Sequence, residues 1–230
     1  MKVLPVLAIL MILCHTAPAK MKTVKKHPCD PLTGDAVGGT PLGDEEMRLN
    51  PLKNRSQRPS LFDYDPTITI AKIVAPGNDT NRFSPNRAAT ITGYVSGVKI
   101  GGKESCNCHA TDAPHRDTHI EVVANPQYAV RHLVKMKCKG KIVNKDTNEK
   151  YHMIVEVTPR VRDQMRAKGV DWSTATLAKE LPGHWVRFSG WILFDSMHRA
   201  EAENTNPGGK CNWRATCTEI HPIFAIKVVK

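Results

Sequence analysis

The seven residues Asp117-Thr118-His119-Ile120-Glu121-Val122-Val123 alternate polar and apolar side chains at the two-residue period of a half-buried strand. Asp117, His119 and Glu121 therefore share one face, and Thr118, Ile120 and Val122 turn the other toward a core. Three proton carriers or metal ligands stand in a row on a face that packing does not need.

Four further segments carry strand patterning. Residues 89–100 form a long strand whose Gly93 and Gly97 call for a bend or bulge. Met153–Val157, 185–193 and 216–229 supply the others, and Thr67 to Ile73 reads as a short additional strand before the Pro76-Gly77-Asn78-Asp79 turn. Between the third and fourth main strands, Thr158-Pro159 places a capping hydroxyl and a first-turn proline at a helix start, and Gly169 closes that helix. A second helix runs from Ser173 through Leu177 to Leu181 and stops at Pro182-Gly183. Strand, strand, strand, helix, strand, strand is the order of an OB-fold. The expected class is mainly β: a five-stranded OB-fold-like Greek-key barrel with short helices between the third and fourth strands, plus an extended N-terminal arm. An open antiparallel sheet with helices on one side is the rival.

Met1-Lys2, the apolar run from Val3 to Cys14 and the Ala17-Pro18-Ala19 site predict a signal peptide over 1–19 and an exported protein, periplasmic or extracellular. The apolar run is short of the roughly 20 residues that span a bilayer, and no later stretch is long enough, so no membrane span follows cleavage. Residues 20–60 are polar and rich in Pro, Gly and Lys, which predicts an extended or disordered arm. Residues 61–230 suit a single domain with a basic insertion at 125–152. Cleavage removes one of seven cysteines, Cys14, and leaves Cys29, Cys106, Cys108, Cys138, Cys211 and Cys217 as disulfide candidates in an oxidising compartment. Connectivity stays open: Cys106 or Cys108 bridges to Cys211 or Cys217, or the pairs close locally. Cys106-Asn107-Cys108-His109 also offers soft ligands, without the C-x2-C spacing of common zinc modules.

A formal net charge of +11 favours a polyanionic partner, nucleic acid or an acidic glycan. Arg131, Lys135, Lys137, Lys139 and Lys141 would form a positive stripe along an extended hairpin, able to track a phosphate or uronate backbone or simply to keep a strand edge solvated. Trp213, on a loop, is the tryptophan best placed to stack on a ligand.

In the barrel order the third strand lies between the second and fifth. Glu156 then sits beside the Asp117, His119, Glu121 row, with Glu219 and His221 at i and i+2 on the fifth strand. Met153, Val155, Val157, Ile120, Val122 and Ile220 fill the barrel, while His119, Glu121, Glu156, Glu219 and His221 converge outside it. His198, three residues after Asp195, reaches the same area. Asp117, His119, Glu219, His221, Trp213, Lys135 and Lys137 are the candidate ligand-binding residues. His119, His221 and His198 are candidate ligands for zinc or another divalent metal, and Glu156 and Glu121 are candidate catalytic carboxylates. The plainer alternative is a satisfied polar network. The leading functional expectation is an exported OB-fold binding or interaction module with a His/Glu polar face, its ligand not named by the sequence and a polyanion among the candidates. The alternatives are a metal-dependent hydrolase of phosphodiester-like substrates using His119, Glu156 and His221, and a structural protein partnering other envelope proteins.

Asp117-x-His119-x-Glu121, Met153-Ile154-Val155-Glu156, Phe194-Asp195 with His198, and Glu219-Ile220-His221-Pro222 occur in an order that resembles exported bacterial proteins of uncharacterised function with an OB-like domain. The resemblance runs from about Thr90 onward and implies the fold and the residue cluster without a reaction. Where that pattern has Gly-Gln after the histidine, this chain has Arg199-Ala200. The acid and arginine pattern of the thermonucleases, which are also exported, basic and OB-folded, is missing here.

Overall fold

The alternating stretch is one stave of a closed barrel. A computed structural model describes residues 30–229. Among these residues the chain forms strands β1 (Ala88–Ile100), β2 (Thr118–Val123), β3 (Leu133–Cys138), β4 (Lys141–Asp146), β5 (Met153–Val157), β6 (Trp185–Phe194) and β7 (Thr218–Val228). Its helices are α1 (Pro41–Lys53), α2 (Ile70–Val74), α3 (Pro159–Arg166) and α4 (Thr174–Glu180). Five strands close in the order β1-β2-β5-β7-β6, with β6 pairing back to β1. The barrel is mixed, because β5 and β7 run parallel while the other neighbours are antiparallel.

Alternation decides which residues fill it. Ile120, Val122, Met153, Val155, Val157 and Ile220 all point inward and join Ile91, Val95, Phe188 and Ile192 in one core. Each such side chain contributes about 1.5–3 kcal/mol on burial. The register of β1 against β2 shifts between Val95 and Gly97, so the expected irregularity falls at the second glycine.

Two helices lie between β5 and β6. Thr158 caps α3 by accepting from the Val161 amide, and Ser173 caps α4 by accepting from Thr176. The buried Arg162 of α3 donates to the Arg116 carbonyl and to Thr118 Oγ1, which clamps the chain on either side of Asp117.

Several expectations are corrected. Residues 67–73 do not form a strand: the Thr69 hydroxyl caps a helical turn, and Ile70 and Ile73 bury the same face at helical spacing. The arm expected to be extended contains α1, started by the Thr40 cap and Pro41. This helix has no apolar stripe. It docks instead through side-chain amides: Asn50 donates to the Thr33 carbonyl (2.7 Å) and Ser105 Oγ (3.1 Å), and Asn54 to the carbonyls of Leu32 and Cys106. The signal peptide, Cys14, Cys29 and the start of the arm lie outside the described residues. Among the described residues no helix is long and apolar enough to cross a membrane.

The basic insertion carries β3 and β4, a two-stranded hairpin separate from the barrel. A disulfide from Cys138, at the end of β3, to Cys211 ties it to the loop between β6 and β7. The two cysteine-bearing barrel loops are therefore not stapled to each other through Cys211. Cys108 is also disulfide-bonded, whereas Cys217 is a buried free thiol and Cys106 a buried thiol.

Candidate functional site

The outward face of β2, β5 and β7 is covered rather than free. His119 pairs with Glu156 across β2 and β5, and Val155 registers with Ile220, which sets Glu156 between His119 on one side and Glu219 and His221 on the other. Helix α1 and the β1–β2 loop close over this row. His119 is 7% exposed, Glu156 2%, and Glu219 and His221 fully buried. The face the sequence left for solvent has become a second, polar interior.

Its charges form a continuous chain. Lys53 of α1 contacts Glu104 (2.6 Å) and Asp195 (2.7 Å). Glu104 Oε1 lies 3.9 Å from His119 Nε2, which approaches Glu156 Oε1 at 2.8 Å. That close approach lies off the N–H direction, so it is an ion contact and leaves Nε2 without an aligned hydrogen bond. His221 Nδ1 stands 3.4 Å from Glu156 Oε2 and 3.2 Å from Glu219 Oε2, and Glu219 Oε1 accepts from Arg214 at 2.7 Å.

Burial works against the charged form of both imidazoles, but carboxylates outweigh it. Glu156 and Glu104 push His119 up to about 10, and Glu156, Glu219 and Asp117 push His221 to about 9. Burial and then the Glu156 charge raise Asp117 to about 6. Glu219 is held low, the Arg214 guanidinium overcoming its burial. Burial raises the Cys106 thiol well above its usual range, and the Asp117 charge adds to the rise.

Above the network lies a cleft of about 600 Å³. Its floor is His119 and Glu104, and one wall is the Glu46, Leu49, Asn50 and Lys53 face of α1. The rim combines Lys99 to Lys103, from the end of β1 into the β1–β2 connection, with Met197, His198, Glu201 and Trp213 from the β6–β7 loop. The Trp213 ring has the Lys99 ammonium at 5.6 Å and the Arg214 guanidinium at 5.0 Å, and it donates to Glu201 at 2.8 Å. A glycine permits this floor: a Cβ at Gly101 would meet His119 Cδ2 at 2.8 Å. A slightly larger cavity, about 680 Å³ between residues 74–80, Tyr128, Tyr151 and 199–207, holds none of the network residues.

Not every expected site residue converges. His119, His221 and His198 fall into three separate donor groups: Glu104 with His119 and Glu156, Asp117 with Glu156 and His221, and Asp195 with His198 and Glu219. The reason is strand spacing, since β5 stands between β2 and β7 and each step is about 4.8 Å. Glu121 pairs with Lys99 and approaches His152 at 3.8 Å, and it does not line the cleft. Lys135 and Lys137 are exposed on the hairpin, also outside the cleft. The network also includes residues that sequence reasoning did not name as functional: Lys53, Glu104 and Arg214. Asp79, read only as a turn residue, accepts from Thr216 Oγ1, the Cys217 amide and Asn204, and so fixes the entry to β7. Arg214 follows Trp213 and precedes Glu219 by five residues, but nothing in that spacing marks it as buried.

Fold and site together define a small mixed β-barrel with a buried ion network beneath a cleft between its loops. Comparison with protein-family models, curated proteins and solved structures finds no match to this chain.

Proposed function

We propose that this is an exported OB-fold binding module that seats one or two units of a polyanion, nucleic acid or acidic glycan, in the cleft above His119 and Glu104. The strand order, read over the barrel strands alone as first, second, third, fifth, fourth, supports the OB assignment. One observation carries the functional reading. Apart from the wall supplied by α1, the cleft is built from the second strand and from the first-to-second and fourth-to-fifth loops, the region where OB-folds hold their ligands. Its volume suits a small ligand or the end of a longer one. Trp213 lines the cleft with the Lys99 ammonium 5.6 Å from its ring, and so offers an aromatic contact beside a cation. A neighbouring concavity shares Trp213 and Glu201 and adds Lys139, Lys141 and Lys145, which continues a basic track onto the hairpin.

Titration of the protein with a short single-stranded oligonucleotide and with an oligouronate, followed by tryptophan fluorescence across a salt series, tests this reading. Binding to one of them is expected, with a log–log salt slope that becomes shallower by about 1.4 in the Lys99→Ala, Lys103→Ala double variant. Unchanged affinity and slope in the variant would remove the cleft from the account. A second reading, metal-dependent hydrolysis of a phosphodiester-like substrate with Glu156 as base, would have to hold its ion at one imidazole alone, because His119 and His221 lie in separate donor groups on either side of that carboxylate. It requires turnover that disappears in Glu156→Gln.

A further inference from the structure

Eight buried side-chain atoms among the described residues lack an aligned hydrogen-bond partner, and three of them belong to residues that stand together, Asp117, Glu156 and His221. Asp117 Oδ1, Glu156 Oε2 and His221 Nε2 are each unpartnered, although their residues are at most 2% exposed. One unmet buried polar atom costs about 1–3 kcal/mol, and more when charged. Three at one place call for a ligand. Donor atoms of these residues lie within 4.8 Å of one another, somewhat wider than the roughly 4 Å that ligands each about 2 Å from a shared ion can span, so binding would draw them together.

The surroundings orient them. His221 Nδ1 faces Glu219 Oε2 at 3.2 Å, and Glu219 is in turn held by Arg214, so Nε2 is the ring nitrogen left facing Asp117, with Oδ2 at 4.0 Å. A metal-bound imidazole commonly gives its other N–H to a carboxylate, which fixes tautomer and ring plane. Asp117 is equally fixed, since Arg162 clamps the residues on both sides of it and the Gly101 amide donates to its carbonyl at 2.8 Å. Charge points the same way. Five carboxylates, Glu104, Asp117, Glu156, Asp195 and Glu219, face two permanent cations, Lys53 and Arg214, and the two imidazoles of His119 and His221. A divalent ion at His221 would take the place of that imidazole's proton, so its binding would release a proton.

We propose that Asp117, Glu156 and His221 bind one divalent cation of the zinc class beneath the floor of the cleft. One imidazole with two carboxylates suits a borderline ion better than calcium or magnesium, and the Cys106 thiol, 3.9 Å from Asp117 Oδ2, inclines the site further toward zinc. The site is independent of what the cleft binds.

The test uses the full chain, expressed with export and purified without an affinity tag, stripped with a chelator and titrated calorimetrically with zinc chloride and then manganese chloride. One zinc per chain is expected, with a Kd below about 1 µM, together with a rise in the thermal midpoint on loading. His221→Gln and Asp117→Asn should abolish binding, and Glu219→Gln should weaken it about 10–100-fold. The cobalt-loaded protein should show a visible ligand-field spectrum that His221→Gln loses. If the variants do not fold, the wild-type thermal shift decides. No zinc binding and no thermal shift in the wild type overturns the proposal, as does binding of the same stoichiometry and affinity in folded His221→Gln. Polyanion titration of the same stripped protein separates the two claims. Polyanion binding without zinc binding removes the metal site alone, and zinc binding without polyanion binding removes the cleft reading alone.

Discussion

Arg214 shows how a single side chain holds the polar interior together. It is fully buried, donates to Glu219 and to the Thr216 carbonyl, and leaves Glu219 free to hold His221. Arg214→Ala strands a buried carboxylate, so a loss of about 3–5 kcal/mol is expected in urea denaturation. A loss below about 1 kcal/mol would mean that Glu219 finds another partner. At the rim, Glu201 is held below the usual carboxylate range, first by His198 Nδ1 (2.9 Å) and then by Lys139 and Trp213. A depressed folded-state value stabilises the fold above the unfolded value, about 4.3, and that contribution disappears as pH falls through the folded value. The wild type should therefore lose more stability between pH 7 and pH 3 than Glu201→Gln does. Equal losses in denaturation series at the two pH values would contradict the assignment.

At the scale of elements, the disulfide and α1 do different jobs. The bridge from Cys138 to Cys211 closes 73 residues of sequence and anchors a hairpin that the barrel does not otherwise pair with. Cys138→Ser, Cys211→Ser should cost roughly 2–4 kcal/mol in denaturation and should weaken polyanion binding by releasing Lys139 and Lys141 from Trp213. Unchanged stability and affinity would separate the hairpin from the site. The barrel strands were legible because their inner faces repeat at period two, as in Met153, Val155 and Val157. Helix α1 was not, because side-chain amides to loop carbonyls dock it and leave no periodic apolar signal. Thr67 to Ile73 misled for the opposite reason: its Ile-x-Ile spacing imitates a strand, while the Thr69 cap and the Ile70–Ile73 pair make it helical. The meeting of Glu156 and His221 followed from strand order. Lys53 and Glu104 did not follow, since 51 residues separate them and only the docked helix brings them together.

At the scale of the molecule, the barrel has two interiors, one apolar inside the strands and one ionic outside them, under α1 and the loops. The apolar interior accounts for the fold. The ionic one is costly to keep unless it serves a ligand, because buried charges stabilise less than apolar groups of the same volume. The two cavities give the account its sharpest test, since the larger lies away from the network and the smaller directly over it. Hydrogen–deuterium exchange of the full chain, with and without saturating polyanion, reads this choice directly. Protection is expected in residues 46–53, 99–105 and 197–213 together. Protection confined to residues 74–80 and 128–151, with the three segments unchanged, would contradict the claim that the cleft over His119 is the binding site.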